Sequence, residues 1–124
     1  GVSYLTSLAA EDFKEIWGIS DENIPHLFKY SFQLAKNAGI KGLVLSPLEL
    51  PLINHFEKET NSEFIKITPG IRFQNEIDSQ NLGDQKRITS PQKALKSGAD
   101  FLVMGRSILQ SKKLYQRINE LKQI

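Results

Sequence analysis

Short apolar runs alternating with amphipathic stretches predict an α/β fold with a parallel sheet, built as four consecutive βα units: half of a (β/α)8 TIM barrel. Three observations carry this expectation. Residues 42–46 and 101–104 are near-continuous apolar runs, as in strands covered on both faces. The segments between such runs carry apolar residues at helical spacing. The 124 residues are about half of the roughly 250 typical of a closed eight-unit barrel. A small open α/β sheet, complete in itself, is the structural alternative.

Taken in order, residues 2–6 read as a first strand that starts with almost no lead-in. Phe13, Ile16 and Trp17 then share a helical spacing over residues 9–17, stopped near Gly18. Residues 23–38 form a clearer helix, with Ile24, Leu27, Phe28, Ser31, Leu34, Ala35 and Ala38 as its core stripe, Lys29 and Lys36 solvated, and Gly39 past its end. The run at 42–46 is the second strand. Ser46-Pro47 follows as a helix start, serine accepting from free N–H groups and proline at the first helical position, with the helix running to about Phe56. Residues 63–68 are the third strand, and Lys66 points opposite to Ile65 and Ile67, toward the barrel interior or the helix layer. Residues 70–89 read as one long irregular loop, the kind of segment that compact domains keep for function. Ser90-Pro91 repeats the serine-proline start, Gly98 closes that helix, residues 101–104 are the last strand, and Leu114, Ile118 and Leu121 mark the buried stripe of a final helix.

Composition narrows the function classes. A 40% hydrophobic and 24% charged chain is ordinary globular material, read as a single segment over 1–124. Sixteen basic against fourteen acidic residues give a net charge of +2, without the clustered positive charge of a nucleic-acid binder, so no nucleic-acid partner is expected. Absence of cysteine excludes a disulfide framework and thiolate metal sites and fits a reducing compartment. No apolar run reaches membrane-spanning length, so no membrane partner is expected and the cytoplasm is the expected location. The only methionine is Met104, from which the natural chain is expected to start upstream of Gly1.

The chemistry concentrates in residues 64–106. Thr68-Pro69-Gly70-Ile71-Arg72 follows one strand and Gly105-Arg106 follows the next, so each of two strand ends delivers glycine and arginine. Glycine lets backbone N–H groups approach a bound phosphate, and arginine offers a planar two-pronged donor. Barrel active sites lie at the C-terminal ends of the strands, with phosphate near the last two. Singly, Arg72 reads as a surface turn arginine and Arg106 as a helix-start arginine beside an acid; together with the glycines they read as a phosphate site. His26 and His55 read as surface or packing residues, and no metal site is expected. Phe13, Trp17, Phe28 and Phe32 read as packing aromatics. Lys112, Lys113, Arg117 and Lys122 read as the solvated face of the last helix.

In sequence, Leu5-Thr6-Ser7, Gly42-Leu43-Val44-Leu45-Ser46, Thr68-Pro69-Gly70-Ile71-Arg72, Gly83-Asp84-Gln85-Lys86-Arg87, Thr89-Ser90-Pro91 and the run from Gly98 to Arg106 resemble the C-terminal half of the orotidine 5′-monophosphate decarboxylases. The resemblance spans nearly the whole chain. It implies a (β/α)8 barrel that converts orotidine 5′-monophosphate to UMP in pyrimidine biosynthesis, without metal or organic cofactor. It further implies that Arg106 and the Gly105 backbone hold the 5′-phosphate, Arg72 completes the clamp, Gln85 bridges phosphate and pyrimidine, Thr6 bonds the pyrimidine edge and Pro69 lines the pocket. The twelve residues 73–84 between Arg72 and Gln85 exceed the family's usual spacing.

The family's catalytic Asp-x-Lys-x-x-Asp run belongs to the N-terminal half, and no catalytic residue is expected in this chain. Asp12-Phe13-Lys14 copies its beginning, but Trp17 stands at the final position and the segment reads as a helix. The implied partners are therefore orotidine 5′-monophosphate or UMP, and either the missing N-terminal half or a second copy of this chain. Unpaired sheet edges and an apolar inner face lead to the expectation of self-association. A non-catalytic remnant half barrel that self-associates and at most binds phosphate is the alternative. A keto-gulonate phosphate decarboxylase is a narrower one, against which the Asp84-Gln85-Lys86-Arg87 segment argues.

Overall fold

The computed structural model describes residues 1–4, 8–78 and 87–124. Three parallel strands, β1 (Gly42–Val44), β2 (Ile65–Thr68) and β3 (Phe101–Leu102), lie side by side in sequence order. Helices α1 (Ala10–Trp17) and α2 (Ile24–Asn37) precede β1, joined by a 3-10 turn at Asp21–Asn23. A second 3-10 turn, Pro47–Glu49, leads into α3 (Leu50–Thr60) between β1 and β2. Helices α4 (Gln74–Asp78) and α5 (Pro91–Lys96) lie between β2 and β3, and α6 (Arg106–Leu109) and α7 (Leu114–Leu121) follow β3.

Register decides what each strand residue meets. Leu43 pairs with Lys66, and Val44 with Ile67, which pairs in turn with Phe101. Side chains alternate across a strand, so Leu43, Leu45, Lys66 and Thr68 share one face. All four are buried. That face meets the helices: Leu43 and Leu45 join Phe13, Phe28, Phe32, Leu50, Ile53 and Phe56 in one core cluster. Thr68 and Lys66 are its polar members, and the charge is carried by Lys66. Its Nζ lies 3.0 Å from Glu57 Oε2 on α3, which resolves its direction as the helix layer.

The other face is apolar and uncovered. Val2 (72% exposed), Ile65 (48%), Phe101 (60%) and Val103 (49%) lie along it. Parallel sheets normally have both faces covered, so this exposure is a property to be explained by the functional reading.

Several expectations are corrected. Over its described residues, 2–4, the expected first strand shows one parallel bridge, Val2 to Val44, flanked by the bonds Ser3 N to Val44 O and Val44 N to Gly1 O, both 2.8 Å. Leu5, Thr6 and Ser7 lie outside the described residues. The α2 core stripe runs through Phe28, Phe32 and Ala35, while Leu34 and Ala38 are exposed. Packing against α3 selects this stripe, with Phe32 and Phe56 in edge contact at 5.8 Å. Lys29 and Lys36 are not simply solvated, since they bond Glu59 and the Thr60 carbonyl of α3. Neither Ser46 nor Ser90 caps its helix with its side chain. Their carbonyls accept instead, from Glu49 N and Ala94 N. Trp17 is half-exposed, touching Tyr4 and Phe13 at its edge.

The two faces predict opposite mutational costs. Ile53→Ala, at a fully buried position on α3, is expected to cost about 2–5 kcal/mol of unfolding free energy. Ile65→Ala, on the uncovered face, is expected to cost under about 1 kcal/mol. Urea midpoints of the isolated chain check both, and equal losses would mean that the face is covered.

Candidate functional site

The chain leaves β2 through Thr68-Pro69-Gly70, and Gly70 sits at φ 78°, in the left-handed region that side chains disfavour. This turn brings Ile71 into a parallel bridge with Thr89. Thr89 N donates to Gly70 O at 3.1 Å and Arg72 N to Thr89 O at 3.0 Å. The two ends of the predicted long loop are thus clasped at its base. Its first part is also not irregular, because α4 begins two residues after Arg72 and Glu76 Oε2 accepts from Phe73 N at 3.0 Å.

Arg72 is buried, and its Nη1 donates to Ile71 O at 3.2 Å and reaches Ser107 Oγ at 3.4 Å. Ser107 is itself buried in α6, directly after Arg106. Thr68 and Leu102 are register partners, and each arginine lies four residues beyond its member of that pair. The structure therefore brings the Arg72 side chain to the Gly105-Arg106 segment, at matched ends of adjacent strands. Gly105 and Arg106 are exposed, and a Cβ placed on Gly105 would meet no atom within 4 Å, so the space above its backbone is open. Pro69 is half-buried beside this segment's strand. A guanidinium beside an accessible backbone N–H is a pairing that can hold an oxyanion. Thr6 and Gln85, with Gly83, Asp84 and Lys86, lie outside the described residues.

Two arginines hold the surroundings, one read from sequence as solvated and one named there only as part of the Gly83–Arg87 segment. Arg117 is not on a solvated face: its guanidinium stands 4.1 Å from the Phe73 ring centroid and donates to Asn75 Oδ1 at 3.0 Å. Helix α7 thereby docks onto the chain that follows Arg72. Arg87 is buried, with Nη1 on Glu49 Oε1 at 2.5 Å and Nη2 on Tyr4 O at 3.0 Å. The rings of Phe13 and Phe28 flank it at 5.9 and 5.8 Å. Glu49 also accepts from the hydroxyls of Ser3, at 2.7 Å, and Ser46, at 2.9 Å. Burial pushes the Glu49 carboxyl above the ordinary carboxylate range, opposed by the Ser3 bond, the Arg87 charge and the Ser46 bonds.

Asp12 and His55, read from sequence as non-catalytic and not metal-binding, have local partners. Asp12 accepts from Ala9 N at 2.6 Å, the bond of a residue closing a helix start. His55 does have a carboxylate at helical spacing, Glu59, 3.1 Å away and on the surface. Among the described residues no three His, Asp or Glu side chains converge as a metal site. A cleft of about 740 Å³ beside Lys36, Lys41 and Asp100 opens elsewhere, away from Arg72 and Arg106.

A sequence model described as the orotidine 5′-phosphate decarboxylase / HUMPS family matches residues 1–121. The chain belongs to this family. It is 37% identical to the orotidine 5′-phosphate decarboxylase of Dictyoglomus turgidum over 122 residues, 98% of this chain and 47% of that protein. Identity is 40% over 111 residues with the Coxiella burnetii enzyme of that name, 90% of this chain and 43% of the relative. With that of Oenococcus oeni it is 44% over 110 residues, 89% and 45% of the two chains. The chain spans about half the length of these curated relatives. As a member of the orotidine 5′-phosphate decarboxylase / HUMPS family it carries an α/β fold with parallel strands, and no helix among its described residues is long and apolar enough to cross a membrane.

Two outcomes are expected from these contacts. Arg117→Ala removes the stack on Phe73 and is expected to lower stability by roughly 1–2 kcal/mol, read as a lower urea midpoint. For Glu49, a raised native pKa means that the folded chain holds the proton more tightly than the unfolded chain. The associated stability is complete below the unfolded value of about 4.3 and is lost as pH rises through the native value. The stability of wild type relative to Glu49→Gln is therefore expected to decline from about pH 4 toward neutrality. An advantage of wild type that grows over that range contradicts the raised value.

Proposed function

We propose that this chain is the C-terminal half, four βα units, of an orotidine 5′-monophosphate decarboxylase barrel, carrying the phosphate and pyrimidine side of the site over residues 1–124. The observation that carries the reading is the reach of Arg72 to Ser107, which joins the Arg72 and Gly105-Arg106 segments at matched strand ends. In this reading Arg72, Arg106 and the Gly105 backbone N–H hold the 5′-phosphate. Gln85 bridges phosphate and pyrimidine, Thr6 bonds the pyrimidine edge and Pro69 lines the pocket. Loop 73–84 belongs to the ligand-binding side.

The uncovered apolar sheet face supports the half-barrel part of the proposal, because a closed barrel turns that face inward. The share of each relative that the chain covers supports a missing N-terminal half. That half supplies the Asp-x-Lys-x-x-Asp run. In the reaction the bond from ring C6 to the substrate carboxylate breaks, carbon dioxide leaves, and the electron pair on C6 takes a proton from the lysine, giving UMP. No step calls for a metal or an organic cofactor. Binding energy gained at the distant phosphate positions the ring where charge develops, which is the work assigned to the residues present here. The uncovered face equally favours a self-associating remnant that binds at most phosphate.

Decarboxylation of orotidine 5′-monophosphate, followed by ring absorbance, separates the two. The chain is assayed alone and then with the N-terminal half of a relative. Activity only in the mixture is expected. In that mixture Arg106→Ala is expected to reduce kcat/KM by roughly 30- to 1,000-fold, the range of about 2–4 kcal/mol for losing one partner of a charge pair. Activity from the lone chain refutes the assignment of catalysis to the missing half. Silence with a folded, associated partner half favours the remnant, and unchanged kcat/KM in Arg106→Ala refutes the phosphate assignment.

A further inference from the structure

Arg72 sits between two anchors of different kinds. On the side toward β2 the backbone is clasped, with Arg72 N on Thr89 O and Thr89 N on Gly70 O. On the other side the chain turns into α4, which is five residues long and has no buried residue. A helix of that length is not stable on its own hydrogen bonds, so contacts with the rest of the molecule have to set its place. Close packing does not set it. A hollow of about 380 Å³ opens between α4, α5 and α7, lined largely by amide side chains such as Gln74, Gln92 and Gln123.

The second anchor is Arg117 of α7. Its guanidinium stands 4.1 Å from the ring centroid of Phe73, the residue that follows Arg72, and its Nη1 donates to Asn75 Oδ1 at 3.0 Å. Glu120 accepts from the same nitrogen at 3.2 Å and holds the arginine in line on its own helix. Helix α6, which begins at Arg106, packs against α7, so Arg117 and Arg106 belong to one body. The bond that brings Arg72 to that body is the one from Nη1 to Ser107 Oγ, at 3.4 Å near the long limit for an N–H donor. A contact near the limit is sensitive to displacement, and a backbone shift of roughly half an ångström ends it.

We propose that Arg117 is a positioning residue for the phosphate site, an inference that rests on the phosphate reading of Arg72, Gly105 and Arg106 given above. By holding Phe73 and Asn75 against α7 it fixes the backbone beyond Arg72. The Arg72 guanidinium is thereby kept at Ser107, beside Gly105 and Arg106, while Arg117 itself does not touch the ligand. Its signature is dependence on Arg72: the effect of Arg117 on phosphate binding disappears once the Arg72 side chain is removed.

The test is a double-mutant cycle, read by titration calorimetry of inorganic phosphate with the 124-residue chain and its variants Arg72→Ala, Arg117→Ala and the two combined. In the parent background Arg117→Ala is expected to weaken phosphate about tenfold, the scale of a desolvated contact between a cation and a ring. In the Arg72→Ala background the same change is expected to alter affinity by less than about twofold, because Arg117 acts through Arg72. Arg117→Lys keeps the charge over the ring but not the planar stack, and is expected to recover part of the loss. Ile53→Val, a core change of similar effect on stability, is expected to leave phosphate affinity unchanged. A matching loss in Ile53→Val would reduce Arg117 to a structural role and overturn the proposal. Equal losses from Arg117→Ala in both backgrounds, or no loss in the parent, would do the same. Should the parent chain bind no phosphate, the phosphate reading of the isolated chain fails instead, and amide exchange decides the anchor by itself. Arg117→Ala is expected to speed exchange at Arg72 N, bonded to Thr89 O, and at Glu76 N, bonded to Phe73 O, with α2 unchanged. Unaltered exchange at Arg72 N would overturn the proposal, and Phe73→Leu carries the same readout if Arg117→Ala does not fold.

Discussion

The pairing of Leu43 with Lys66, and of Val44 with Ile67 and Phe101, is the constraint from which the rest of the molecule follows. Once that parallel register is set, alternate side chains have no freedom of face. Leu43, Leu45 and Lys66 must meet the helices, so the helix layer has to provide a carboxylate, and Glu57 of α3 does so while also accepting from Phe64 N. Ile65, Ile67, Phe101 and Val103 must point the other way, where no layer among the described residues follows. The same register brings Thr68 and Leu102 level, and with them the segments that carry Arg72 and Arg106. Core, uncovered face and candidate site are three consequences of one ladder.

A second constraint acts at the strand ends, where the chain stops being regular and hydrogen bonds have to be found individually. The Gly70 turn and the Ile71–Thr89 bridge satisfy backbone groups at the base of the long connection. Side chains then carry the load outward, through Arg117 on Phe73 and Asn75 and through Arg87 on Glu49 and Tyr4 O. In both cases an arginine joins a planar charge to an aromatic face and a fixed acceptor. The combination restricts orientation more tightly than apolar packing does, and it occurs on both sides of the connection that leads from Arg72 toward Arg87.

Much of the architecture was legible because it rests on local periods. The strand at Ile65–Thr68, the α2 helix, the stop at Gly18 and the Gly70 turn each follow from spacing or from a backbone conformation that only glycine adopts readily. What sequence missed depends on distant neighbours. A helical period admits both Leu34 and Phe32 as core, and only the position of α3 chooses Phe32. Ser46 resembles a cap until Glu49, three residues on, takes its hydroxyl. Arg117 meets Asn75 across 42 residues, and Arg87 meets Glu49 across 38, separations to which no local pattern is sensitive. At the site, glycine and arginine after each strand were visible, but the contact of Arg72 with Ser107, 35 residues away, was not.

The geometry also bears on how a barrel's work divides between its halves. The link between Arg72 and Ser107 is made wholly within this chain, and so is the clasp at Thr89. The Arg72 and Gly105-Arg106 segments are therefore joined by contacts of this chain alone. The ring side differs, because the sheet face that a closed barrel would turn toward its interior is left apolar and open here. Burial is one cause that shifts the pKa of a group that abstracts or delivers a proton, and an open face does not supply it. If the half-barrel reading holds, anion binding and ring chemistry would fall on opposite sides of the division for a physical reason. On the half-barrel reading an anion would be met by charge and backbone at the strand ends, while ring chemistry would require the enclosure that further strands supply.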